Sequence, residues 1–150
     1  MSPVHVHLLL NHIPIFGTLF GLLLLLYALV RRNDDIKKAS FGSFVITGLI
    51  TIPVFLSGLG AAAIVHDLTG VSETIIEQHQ GAALITLVAV VLLGAVALLS
   101  LWLSRRSSNI RGWMMAAVLA LAVISTGLGM WAGDLGGQIR HTEVRADFSR

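Results

Sequence analysis

Four runs of this chain, residues 8–30, 41–65, 81–103 and 112–135, contain no Lys, Arg or Glu. A helix crosses a hydrocarbon core of about 30 Å in roughly 20 residues, so each run is long enough to span a bilayer. Only 12% of the residues are charged and 55% are hydrophobic, whereas soluble domains carry about a quarter charged residues. Lipid is therefore the solvent for most of the chain, and the four spans leave no room for a catalytic domain outside the membrane. The first run is longer than the apolar core of a signal peptide, lacks a small-residue cleavage site after it, and holds His12 and Pro14 near its start, which reads as a retained span. The expected fold class is all-α: one domain over residues 1–150, an integral membrane four-helix up-down bundle.

Orientation follows from the connections. Arg31, Arg32, Lys37 and Lys38 lie between runs one and two, and Arg105, Arg106 and Arg111 between runs three and four. Basic residues in short loops stay in the cytoplasm, so both termini are expected on the periplasmic or outer side of a bacterial inner membrane. That side carries Asp67, Glu73, Glu77, Asp134, Glu143 and Asp147, with Arg140, Arg145 and Arg150 in the tail. The same topology accounts for a pI near 9.7 without invoking nucleic acid. Short loops make consecutive helices antiparallel neighbours, which sets span one diagonally across from span three and span two from span four. Small residues on the spans, Gly17 and Gly21, then Ser57, Gly58 and Gly60, then Gly127, Gly129 and Gly133, allow backbones to approach or a flat ring to lie against them. Pro53 is expected to kink span two. Ser72 and Glu73 are expected to open a short amphipathic turn before span three. Phe16, Phe20, Tyr27, Trp102, Trp113 and Trp131 fit interfacial anchors.

Cysteine is absent, which excludes disulfides, thiolate zinc, iron–sulfur clusters and covalently attached haem. The six histidines carry the chemistry. His5, His7 and His12 open span one, His66 ends span two, His79 opens span three and His141 follows span four, all at one end of the bundle. Ionisable residues at membrane depth point inward to a partner, and His12 is the deepest of them in this reading. Neutral imidazoles on facing helices are the usual axial ligands of b-type haem, held in an apolar slot. The diagonal rule pairs His12 with His79, and His66 with His141, giving one or two haems; His7 and Arg140 then bind propionates or orient the ligands. Two other readings stay open. His66 with Asp67, Glu73, Glu77 and His79, or His141 with Glu143, offers zinc, copper or iron ligands. Alternatively the histidines bond water, lipid headgroups or neighbouring chains in a cofactor-free assembly subunit.

The same residues carry a resemblance. His7, then His12-Ile13-Pro14-Ile15 opening span one, His79 opening span three, and Gly136-Gly137-Gln138-Ile139-Arg140-His141 closing span four resemble the bacterial membrane family catalogued as domain of unknown function 2231. That family is similar in having four predicted spans, an H-x-x-x-x-H-(F/I)-P-(I/V) opening and a G-G-x-(L/I/V) closing segment with a nearby histidine. The likeness covers nearly the whole chain; Leu8 stands where the commoner form has proline, and His141 lies slightly closer to the paired glycines. Its histidine pattern looks haem-compatible. The expected function is a haem b subunit carrying electrons near the periplasmic face, between quinol and a periplasmic partner such as a c-type cytochrome, within a larger redox complex; quinone is a second candidate cofactor. No nucleophile with a base, phosphate loop or dinucleotide fingerprint is present, so autonomous enzyme chemistry is not expected.

Overall fold

The computed structural model of the chain describes residues 2–66, 68, 70–105 and 110–145. Among these are five α-helices, α1 (Pro3–Leu10), α2 (Ile13–Arg31), α3 (Asp34–Val65), α4 (Glu73–Ser104) and α5 (Gly112–Gln138), then one 3-10 turn at Thr142–Val144, and no strand. α1 and α2 together form the first span, and all four spans are long and apolar enough to cross a membrane. The chain is an all-α, multi-pass membrane bundle.

The first span is broken, and the reason is local. Ser2 caps α1, its Oγ accepting the His5 N–H at 3.4 Å. Pro14 lacks an N–H and its ring crowds the carbonyl one turn earlier, so the hydrogen-bond ladder from Leu10 is interrupted there. Asn11 and His12 form a turn and α2 resumes at Ile13. Helix thus begins at Pro3 rather than at residue 8, which places His5 and His7 on an ordered element.

The reversal into α3 takes two residues. Arg32 adopts the left-handed conformation, φ 50° and ψ 39°, and the Asn33 N–H returns to the Ala28 carbonyl at 3.0 Å. Asn33 then starts α3 by accepting the N–H groups of Asp35 and Ile36 at 3.0 Å. α3 continues past Pro53. Glu73 opens α4 itself, which runs unbroken through the third span, so the separate turn expected there is replaced by a longer helix. Ser72 occupies the N-cap position without a side-chain cap bond; Asp67 lies outside the described residues.

The helices close a ring, α2 on α3, α3 on α4, α4 on α5 and α5 on α2, with α1 laid against α3. Diagonal pairs are therefore α2 with α4 and α3 with α5, as the short loops require. Along α2 to α3, Gly17 faces Thr47 and Gly21 faces Phe44 and Ser43, and the Ser40 hydroxyl donates to the Gly21 carbonyl at 2.8 Å. A second close crossing joins α3 to α4 at Gly48 and Gly94, where a Cβ on Gly94 would stand 3.1 Å from the Phe44 carbonyl oxygen.

The two ends of the bundle are packed differently. At the loop end, Leu25, Phe41, Phe44, Leu93, Ala97, Val118 and Ala122 form a core of large side chains. At the terminal end the buried cluster is Ala82, Ala132 and Leu135. The buried threonine hydroxyls are satisfied one turn back along their own helices, as Thr51 to the Thr47 carbonyl at 2.7 Å and Thr86 to the Ala82 carbonyl at 2.8 Å, whereas Ser40 reaches across to α2 and the buried Ser125 hydroxyl has no partner among the described residues. The outer surface is apolar throughout, with Phe20, Leu49, Val88, Leu98 and Val123 exposed, as lipid contact demands. Tyr27, Trp102 and Trp113 are exposed near the loop end and Phe16 and Trp131 near the terminal end, positions suited to interfacial anchoring.

Candidate functional site

The inward stripe of each helix determines which polar side chains enter the terminal end. On α4 the buried positions Ala82, Thr86, Val90, Leu93 and Ala97 recur at helical spacing, and His79 lies one turn before Ala82 on the same stripe. On α5 the stripe through Ser125, Gly129 and Ala132 reaches Gly136 at the next turn, and on α3 the stripe through Thr51, Val54 and Ala61 passes through Gly58. The two glycine positions each meet an imidazole, Gly136 that of His79 and Gly58 that of His7.

His79 Nδ1 lies 2.9 Å from the Ala132 carbonyl oxygen on α5. His7, on α1, lies with Nδ1 3.3 Å from the Val54 carbonyl oxygen and 3.3 Å from Ser57 Oγ on α3, while the Ser57 hydroxyl itself donates to Val54 at 2.7 Å. A carbonyl oxygen only accepts, so in both histidines Nδ1 is the protonated nitrogen. The neutral rings then carry an unprotonated Nε2 with its lone pair, the form that binds a metal. The two ring centroids are 6.4 Å apart with their planes at 73°. Both histidines are partly buried. Gly58 lies about 12 Å along α3 from His66, which places the pair well inside the end of the span.

The remaining histidines face outward. His12 is exposed and stacks on Phe16, ring centroids 6.2 Å apart. The expected approach of His12 to His79 is replaced by that of His7, because the inward stripe of α2 runs through Pro14, Thr18 and Gly21 and a residue two before Pro14 lies about 200° around the helix. Spans one and three do supply the paired imidazoles, through a different residue of span one. His66 Nε2 is 2.8 Å from Glu73 Oε1 and His141 Nδ1 is 2.9 Å from Glu143 Oε1, both pairs exposed, so each of these histidines engages a carboxylate. His5 bonds Ser2 Oγ at 2.8 Å. Arg140 is exposed, and Arg145 instead closes the end of α5, donating to the Gln138 and Ile139 carbonyls at 2.8 and 3.0 Å.

A groove of about 400 Å³ between α3 and α4 gathers His66, Glu73, Glu77 and Gln80 over Leu59, Ala62, Ala63 and Ile76. Of the first set of candidate metal ligands it gathers His66, Glu73 and Glu77; Asp67 lies outside the described residues, His79 turns to α5, and the second set, His141 with Glu143, lies apart from it. Among the described residues no three His, Asp or Glu side chains form a metal-holding group.

Sequence reasoning did not reach the Val54 and Ala132 carbonyls or the part played by Gly58 and Gly136. Backbone acceptors leave no mark on residue type; the glycines do, each standing four residues after its carbonyl.

Fold and site together define a four-helix membrane bundle that presents two Nδ1-anchored imidazoles inside one end. No family model matches the chain, and no curated protein or solved structure does so either.

Proposed function

We propose that the chain is a membrane subunit that holds a b-type haem between His7 and His79 and carries electrons at the periplasmic face of a bacterial inner membrane, between quinol and a periplasmic redox partner. The observation that carries this reading is the paired imidazoles. The two ring centroids stand 6.4 Å apart, close enough for one metal ion to be shared by an imidazole nitrogen from each at about 2.0 Å. The residues present fit the group: neutral nitrogen donors, small residues around them and apolar helices outside. The resemblance described above supports it, since His7, His79 and Gly136 are among the residues that carry the likeness.

A bound haem would supply one-electron exchange at its iron. The chain's own residues do the rest. The Val54 and Ala132 carbonyls hold the protons on Nδ1 and fix which nitrogen is offered. The Leu25, Phe41, Phe44 and Leu93 core closes the bundle below the site and keeps water from crossing it. The exposed His66–Glu73 and His141–Glu143 pairs give the same end a polar, acidic rim for a soluble partner.

The test is a reduced-minus-oxidised absorption spectrum with a pyridine haemochrome assay on detergent-purified protein. A b-type spectrum is expected, lost in His7→Ala and in His79→Ala and retained in His12→Ala. Absence of porphyrin from protein taken from its native membrane would sink the haem reading and leave the cofactor-free subunit. Loss of haem in His12→Ala but not His7→Ala would restore the pairing read from sequence.

A further inference from the structure

We infer that Gly58 and Gly136 are positioning residues that fix the two imidazole planes nearly perpendicular, so that a haem held there has crossed rather than parallel axial ligands. This rests on the haem reading and adds to it which residues set its electronic state.

The two rings are held by the same device on diagonally opposed helices. In each, Nδ1–H reaches the carbonyl of a residue four before a glycine: Val54 and Gly58 on α3 for His7, Ala132 and Gly136 on α5 for His79. A helical side chain leans towards the N-terminus and covers the carbonyl one turn back. Glycine at that position uncovers the carbonyl and leaves its free face to a second donor. The imidazole edge then lies on bare backbone: a Cβ at 58 would stand 2.9 Å from His7 Cε1 and 3.6 Å from its Nε2, and one at 136 would stand 3.0 Å from His79 Cε1 and 3.7 Å from its Nε2. Such a methyl would both tilt the ring and crowd the side from which Nε2 is approached. Each ring is therefore pinned by one helix, and the two cradles belong to different helices. The 73° between the planes is a property of the bundle, present before any metal imposes a preference.

Crossed axial imidazoles leave two iron d orbitals nearly degenerate, and a low-spin ferric haem then shows one dominant large g value. Parallel planes split those orbitals and give a three-line rhombic signal. The experiment is the electron paramagnetic resonance spectrum of the oxidised, haem-loaded full chain in detergent, with Gly58→Ala, Gly136→Ala and Gly137→Ala variants. The expected result is a single large-g signal from the unsubstituted protein, moving to the rhombic type in Gly58→Ala and Gly136→Ala. Gly137→Ala should leave it unchanged, because nothing lies within 4 Å of a Cβ there. Haem lost from folded Gly136→Ala but kept by Gly137→Ala would support the cradle equally. A rhombic signal from the unsubstituted protein overturns the inference while haem binding stands; equal responses from Gly136→Ala and Gly137→Ala overturn the part given to the glycines. A chain without a b-type spectrum overturns the haem reading, and this inference with it.

Discussion

Asn33 is the residue on which the first reversal depends, since its side chain alone satisfies two of the N–H groups that open α3. Asn33→Ala should lower stability by about 1 kcal/mol, the usual cost of removing such a cap, read from thermal unfolding in detergent; an unchanged transition would mean that headgroups or water replace the side chain. At the other end, a bond from its own backbone N–H, and after that the one from His141, hold the Glu143 carboxyl below the usual carboxylate range. The ionised form is thus favoured in the folded turn. Its contribution is complete above the ordinary glutamate range and is lost as pH falls through the lower, folded value. A carboxyl chemical-shift titration should show Glu143 titrating below a free glutamate, and His141→Ala should move it part of the way back. At this scale the sequence revealed the end of the bundle at which histidines gather, with His79 at the opening of span three. It could not choose His7 over His12, because that depends on the rotation of α1 relative to α2 across the break at Asn11 and His12.

Apolar periodicity made the helices themselves legible, though their ends were not. α3 and α4 begin at Asp34 and Glu73, several residues before the apolar runs at 41 and 81, because polar first turns extend beyond the hydrocarbon and leave no hydropathy signal. The Gly17 and Gly21 contact was readable as a small-residue motif on one helix. The Gly48 and Gly94 crossing was not, because the two glycines lie on different spans and only the register of α3 against α4 brings them together. Gly94→Val should cost about 1–3 kcal/mol, since its side chain would meet backbone rather than a movable side chain. Gly127→Ala, whose Cβ meets nothing within 4 Å, should be neutral or gain up to about 1 kcal/mol from helix propensity. Unfolding of the two variants side by side checks the crossing: equal stabilities would mean that α3 and α4 do not approach there.

For the molecule as a whole, the bundle concentrates bulk at one end and imidazoles at the other, and the charge distribution gives that polarity a direction. Seven of the ten Lys and Arg residues, from Arg31 to Lys38 and from Arg105 to Arg111, lie at the loop end, and the other three follow α5. Asp34 and Asp35 pair with Lys37 and Lys38 at 2.8 and 3.9 Å, yet acidic partners contribute little to the orientation that basic loops impose. The loop end should therefore face the cytoplasm, and the paired imidazoles the periplasm. Because the chain has no cysteine, single cysteines report this without background. Leu68→Cys and Ala39→Cys replace exposed residues at opposite ends. A membrane-impermeant maleimide should label Leu68→Cys in intact spheroplasts and Ala39→Cys only after lysis. The reverse pattern would turn the acidic rim and the imidazole pair towards the cytoplasm, so that any redox partner would be a cytoplasmic one and the periplasmic part of the proposed function would fall while the haem site stood.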